Sequence, residues 1–255
     1  MTGKVADTEQ VRSFQADGFV ALREFVSGAD LRELLTRVAD FQQEIVPRLP
    51  PEHVFYEDKA NAQTLKQIQR MHEYDPWFAE LFAGGCFREL AELLLDGPVI
   101  PKNLQYFNKP AGVGRPTPPH QDGYYFMLNP CAAVTMWLAL EDVDEENGCV
   151  RYVRGSHRRG LREHVRTQTL GFSQGIADYP TESDLDQEYA IPARSGDVLV
   201  HDALTIHRAD GNRSASRTRR ALGFVYYSER AREDTEAHTR YQHKLTAEMK
   251  AQGKI

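Results

Sequence analysis

The chain has 255 residues, 41% hydrophobic and 27% charged, with a net charge of −6; that length can bury a substantial core unaided, and the charge offers no bulk attraction to nucleic acid or to an anionic membrane. Cys86, Cys131 and Cys149 are too few and too scattered for a disulfide framework or a CxxC zinc site, and they suit a reducing compartment. No apolar run is long enough to span a bilayer and Met1–Gln10 has no signal-type apolar core, so the expectation is a soluble, cytoplasmic protein.

With no repeat and no low-complexity linker, one domain is expected over residues 1–255: a helical part to about 97, a strand-rich core over 98–228 and a charged tail from 229. Asp7 or Thr8 can cap a first helix ending near Gly18, followed by a short strand at Phe19–Leu22. Ser27-Gly28-Ala29-Asp30 has the form of a capping box. After it Leu31, Leu34, Leu35, Val38 and Phe41 share one helical face. Residues 75–95 predict one or two further helices, broken at Gly84-Gly85.

From Pro98 the pattern changes to short strands between turn residues. The expected strands are 99–108, 123–128, 133–141, 148–153, 188–192, 197–202, 205–208 and 220–228. So many short strands in so few residues argue for a sandwich or jelly roll. Residues 167–187 lack periodicity and read as a loop, a candidate lid. The tail from Ala231 to Ile255 reads as a charged helix or a frayed end.

The chemistry centres on Pro118-Pro119-His120-Gln121-Asp122-Gly123. In an extended chain, residues two apart project to one side, so His120 and Asp122 can offer an imidazole and a carboxylate to one point. A second histidine from a later strand would complete the two-histidine, one-carboxylate set of non-haem Fe(II) oxygenases. Alone, a His-x-Asp triplet is more often a surface or structural pair. His201 and His207 contend for the third position, and spacing does not decide between them. His157 can be a structural turn histidine. Farther on, Arg219 and Arg220 open the last strand. An arginine pointing inward there would be an uncompensated buried charge unless it met an anion, and a guanidinium forks onto a carboxylate.

The chain resembles the phytanoyl-CoA dioxygenase family over roughly residues 9–228. The likeness rests on Phe14-Gln15-Ala16-Asp17-Gly18-Phe19-Val20, Leu104-Gln105-Tyr106-Phe107-Asn108-Lys109-Pro110 and His120-Gln121-Asp122-Gly123. It continues through Val134 to Leu140, Glu145 to Val150, Gly155-Ser156-His157, and His207 followed by Asn212 and Ser214. It implies a mainly β fold with flanking helices, a double-stranded β-helix (jelly roll, cupin-like). It also implies Fe(II), 2-oxoglutarate as co-substrate, and O₂, with CO₂ and succinate released as an unactivated C–H bond of a small-molecule substrate is hydroxylated. The family pattern places the distal metal ligand five residues before the Asn, selecting His207 with His120 and Asp122. It places the co-substrate arginine at Arg219, with Arg217 the runner-up because the spacing is one residue longer than usual. Lys66, from the helical region, would approach 2-oxoglutarate, Gln105 and Trp137 would line the same pocket, and Thr135 would add a hydroxyl. Arg154 stands where relatives often have proline. Because Asp122 is present, the halogenase variant of this fold is disfavoured. Epimerisation, ring closure or desaturation at the same iron, and a non-catalytic jelly-roll binding protein, are the rival readings.

Overall fold

The computed structural model describes residues 6–169 and 172–251. Helix α1 (Thr8–Asp17) is capped by Asp7, whose carboxylate accepts from the Gln10 N–H while the Gln10 side chain accepts from the Asp7 N–H. It stops at Gly18, φ 83°, where an added Cβ would lie 2.4 Å from the His157 ring. Strand β1 (Phe19–Leu22) and helix α2 (Gly28–Asp40) follow, the latter burying Leu34 and Val38. The capping box expected at Ser27 does not form. Ser27 makes no side-chain cap bond, because Gly28 enters at φ 58°, outside the right-handed region. Two unexpected short strands come next, β2 (Val54–Tyr56) and β3 (Leu65–Ile68). Then come α3 (Met71–Tyr74), α4 (Pro76–Ala83) and α5 (Gly85–Leu94), with α4 capped by Asp75 and the break at Gly84-Gly85 as expected.

From residue 99 strands dominate: β4 (Val99–Lys109), β5 (Thr117–His120), β6 (Leu128–Asn129), β7 (Ala133–Ala139), β8 (Val150–Val153), β9 (His164–Thr169) and β10 (Phe172–Ile176). They continue with β11 (Glu188–Ile191), β12 (Val198–Asp202), β13 (His207–Ala209), β14 (Arg219–Ser228) and β15 (Arg232–Glu233). Helices α6 (Gly123–Phe126), α7 (Glu182–Gln187) and α8 (Thr235–Ala251) interrupt and follow them.

Three expectations are corrected here. The strand expected at 123–128 begins as the one-turn helix α6. Asp122 is right-handed helical, and the Gly123 N–H donates to the Ala203 carbonyl at 2.8 Å. The approach at Gly123 is close enough that a Cβ would fall 2.5 Å from the Cys131 sulfur. The loop expected over 167–187 belongs largely to the β9–β10 hairpin and α7; Gly171 lies outside the described residues. The N-terminal third is not purely helical, since β1, β2 and β3 all join the main sheet, and Lys66 sits on β3 rather than on a helix.

The main sheet has seven strands in the order β1-β12-β7-β14-β4-β3-β2, and it faces a four-stranded sheet, β11-β8-β13-β5. All pairings in both are antiparallel, which makes a double-stranded β-helix with helices on its outer face. The period-two alternation of strand side chains divides the main sheet's residues cleanly. Leu104, Tyr106, Val134, Met136, Leu138, Val198, Val200, Leu222, Phe224 and Tyr226 pack outward against Leu34, Phe41, Phe78 and Phe87 of the helical layer. The intervening residues Trp137, Ala139, Leu199 and Ala221 turn inward to Val150 and Tyr152 of the smaller sheet. That inward set, carried on by Gln105, Lys109, Thr135, His201 and Arg219, supplies much of the site.

Candidate metal centre

Strand β5 ends at His120, and β13 begins at His207, its direct cross-strand partner. Asp122 lies just past the strand end, as the first turn of α6 brings its carboxylate back beneath the two rings. Its Oδ1 is 3.5 Å from His120 Nε2 and 3.7 Å from His207 Nε2. The ligand atoms of the three residues all lie within 4.8 Å of one another, and among the described residues they form the cluster suited to a metal ion. His120 Nδ1 donates to the Pro118 carbonyl at 2.8 Å and His207 Nδ1 to the Thr205 carbonyl at 3.0 Å. These bonds fix the tautomer and leave both Nε2 lone pairs turned to one point. Burial holds His207 well below its ordinary pKa, so the ring is neutral, as a ligand must be. Burial pushes Asp122 up, but the three histidines outweigh it and keep the carboxylate ionised.

Gln121 points the other way and is fully buried. Its amide donates to the carbonyls of Gly160 and Leu204 and accepts from the Arg162 N–H, pinning the turn that sets Asp122. His157 proves structural, donating to the Gln15 carbonyl at 3.2 Å.

The three donors open into a cavity of about 1130 Å³. Arg219 lies in it, 5% exposed, with Nε donating to the Gly148 carbonyl and the guanidinium 5.2 Å over the Trp137 ring. Burial lowers its pKa to about 10. Arg217 stands outside the cavity, on the surface, paired with Asp144 and Glu146. Lys66 is also buried in the cavity wall, but its charge is met by an equally buried Glu57 at 3.1 Å. Gln105 accepts from the Gln67 amide at 3.0 Å, and Trp137 is buried beside it. Room for Gln105 and Phe107 comes from Gly223, where a Cβ would lie 2.7 Å from the Phe107 ring. Thr135 does not present a free hydroxyl, because it donates to Asp122 Oδ2 at 2.6 Å.

Two features escaped the sequence reading. Lys109 faces Arg219 across β4–β14, 5% exposed, bonded to the Arg115 carbonyl and the Thr117 hydroxyl. Burial drives its pKa well down, and Arg219 and Lys66 add to the effect. Among the described residues no carboxylate pairs with Lys109 or Arg219, so an anion placed between them would favour the charged form of both. The inward alternation 105, 107, 109 could have identified Lys109. The second feature is the charged tail, which forms one wall of the cavity: Tyr241 meets the edge of Tyr125 and Glu248 pairs with Arg166 of β9.

A jelly roll that presents two histidines and one carboxylate, beside buried cations suited to a keto diacid, defines the class of non-haem iron, 2-oxoglutarate-dependent oxygenases. Within that class, the chain belongs to the phytanoyl-CoA dioxygenase family, whose sequence profile matches residues 14–221. It is similar to phytanoyl-CoA dioxygenase 1 of Oryza sativa subsp. japonica, 27% identical over 83% of this chain and 85% of that protein. It is also similar to phytanoyl-CoA dioxygenase domain-containing protein 1 of Danio rerio, 35% identical over 60% of this chain and 54% of that protein. Among solved structures it resembles the non-haem alpha-ketoglutarate-dependent carbocyclase SnoK from nogalamycin biosynthesis, with TM-score 0.72, 26% identity, and coverage of 91% and 88% of the two chains. It shares its fold with EctD from S. alaskensis, TM-score 0.73, 20% identical, with coverage of 92% and 80%.

Proposed function

We propose that this protein is an Fe(II)- and 2-oxoglutarate-dependent dioxygenase that hydroxylates an unactivated C–H bond of a small molecule. One observation carries the reading: a His-Asp-His donor set with both rings buried opens into the same cavity as two buried basic side chains that, among the described residues, have no carboxylate of their own. His120, Asp122 and His207 would hold Fe(II) and leave coordination positions open. Held there, Fe(II) would activate O₂ as oxidant with 2-oxoglutarate as co-reductant, a chemistry whose co-products are CO₂ and succinate. Arg219 would fork onto the distal carboxylate of 2-oxoglutarate, with Lys109 opposite as a further donor, while Lys66 stands nearby already held by Glu57. Trp137 and Gln105 would flank that anion, while Thr135 acts on Asp122. Tyr124, Tyr125, Phe126, Tyr227 and Tyr241 line the cavity, and the protein's part in the chemistry is to orient the substrate among them and exclude water.

The likeness to a carbocyclase favours a second reading, ring closure at the same site. Candidate small molecules incubated with Fe(II), 2-oxoglutarate and O₂ should raise succinate formation when one is a substrate, and a chelator should abolish it. The product's mass then separates the readings, since hydroxylation adds one oxygen and ring closure removes two hydrogens. A protein that neither binds 2-oxoglutarate anaerobically nor forms succinate would sink both.

A further inference from the structure

The two oxygens of Asp122 have different neighbours. Oδ1 faces the Nε2 atoms of His120 and His207, as described above. Oδ2 accepts a hydrogen bond from the Thr135 hydroxyl at 2.6 Å and lies 3.1 Å from His201 Nε2. Thr135 and His201 are direct partners on β7 and β12, so adjacent inward positions of the main sheet present two donors to one oxygen. His201 is only 3% exposed, and its other nitrogen, Nδ1, lies 3.0 Å from the Tyr152 hydroxyl. A carboxylate only accepts, so His201 Nε2 carries the proton. In the neutral ring Nδ1 is then the acceptor, and Tyr152 donates to it. Tyr152 is itself held, completely buried and stacked on Phe19 with ring centres 4.7 Å apart. The result is a directed chain from Tyr152 through His201 to Asp122, with Thr135 gripping the same oxygen from the neighbouring strand.

A carboxylate free to rotate can offer a metal both oxygens and fill a second coordination position. With Oδ2 engaged twice, Asp122 has one oxygen to give. We propose that His201 is a positioning residue that holds Asp122 as a single-oxygen ligand, and so keeps open the positions that a chelating keto acid and O₂ require. This rests on the functional reading above. It also explains why a third buried histidine, whose ring centre is 4.1 Å from that of His207, stays outside the ligand set: its Nε2 is turned to the carboxylate.

The test uses the full chain loaded with Co(II), whose visible spectrum reports coordination number, with no co-substrate present. His201→Phe keeps the volume and removes the donor. It should weaken Co(II) binding about tenfold, as loss of an outer-shell partner does, and change the spectrum. His201→Gln restores an N–H donor and should return affinity to within about threefold of the parent, with the parent's spectrum. If the Phe variant matches the parent, or if the Phe and Gln variants are equally impaired, the proposal fails; the second result would leave His201 a packing residue. Should the Phe variant not fold, Tyr152→Phe removes only a hydroxyl, and an unchanged Co(II) spectrum in it would overturn the proposal. Because these readouts omit 2-oxoglutarate, failure of the wild type to bind that acid would count against the proposed activity and leave this comparison intact.

Discussion

At Arg219 and Lys109 two basic side chains sit opposite each other on neighbouring strands, each out of water. Such a pair is costly unless an anion joins it. Arg219→Met should remove a forked, desolvated contact, which costs on the order of 2–5 kcal/mol, or roughly thirty-fold to several-thousand-fold in 2-oxoglutarate affinity. Lysine at 219 should recover only part, since a point charge cannot reproduce the fork. Arg217→Met, at a surface pair with Asp144 and Glu146, should leave that affinity within about twofold. Anaerobic titration followed by the iron-to-ligand absorption band measures all three, and a large loss at 217 with little at 219 would reverse the assignment. The metal set has its own check. His207→Ala should lose Fe(II) retention on dialysis, whereas His201→Gln should keep it; the opposite pattern would make His201 the ligand.

Among the elements, α8 and the β9–β10 hairpin share the cavity wall but are tied to each other by the part-exposed pair Arg166–Glu248. Strand β15 pairs with β6, so α8 starts from a fixed point near α6. Such pairs contribute little, so Arg166→Ala should speed protease cutting within 235–251 by at most about fivefold. Fe(II), 2-oxoglutarate and substrate together should slow it. Cleavage indifferent both to the substitution and to ligands would make α8 a passive appendage. Much of the element plan was legible in the sequence, because β7, β12 and β14 are short apolar runs buried on both faces and bounded by turn residues such as Asn147-Gly148, Ser195-Gly196 and Asp210-Gly211. Val54–Tyr56 was not, being three residues next to Pro50-Pro51, too short for any period to show. Nor was α6, where a close approach at Gly123 to Ala203 and Cys131 overrides the strand-forming Tyr124-Tyr125-Phe126. The triad could be proposed from spacing and resemblance. The role of His201 could not, since spacing says that a side chain turns inward but not which carboxylate oxygen it meets.

For the whole molecule, the same buried charges couple binding to stability. The described residues contain no helix long and apolar enough to cross a membrane, and none of the three cysteines forms a disulfide, so the fold rests on its core and on satisfied polar groups. At the site two groups of charges work against it. Arg219 and Lys109 disfavour each other's charge across β4–β14, and Oδ1 of the part-buried Asp122 faces the Nε2 atoms of His120 and His207, which have no proton to give it. Fe(II) would offset the second and the dianionic co-substrate the first, so both bind the folded chain in preference to the unfolded one. With 2-oxoglutarate at a hundred times its Kd, the gain is about 2.7 kcal/mol. For a chain of this length each kcal/mol raises the melting temperature by roughly 2–4 °C, which predicts a rise of roughly 5–10 °C in anaerobic Fe(II) protein on adding the acid. Arg219→Met, melted with the acid at that same concentration, should lose most of the rise while keeping the part due to Fe(II) alone. A melting temperature that ignores 2-oxoglutarate in the parent, or an identical rise in the Arg219 variant, would mean that the cation pair serves some other anion.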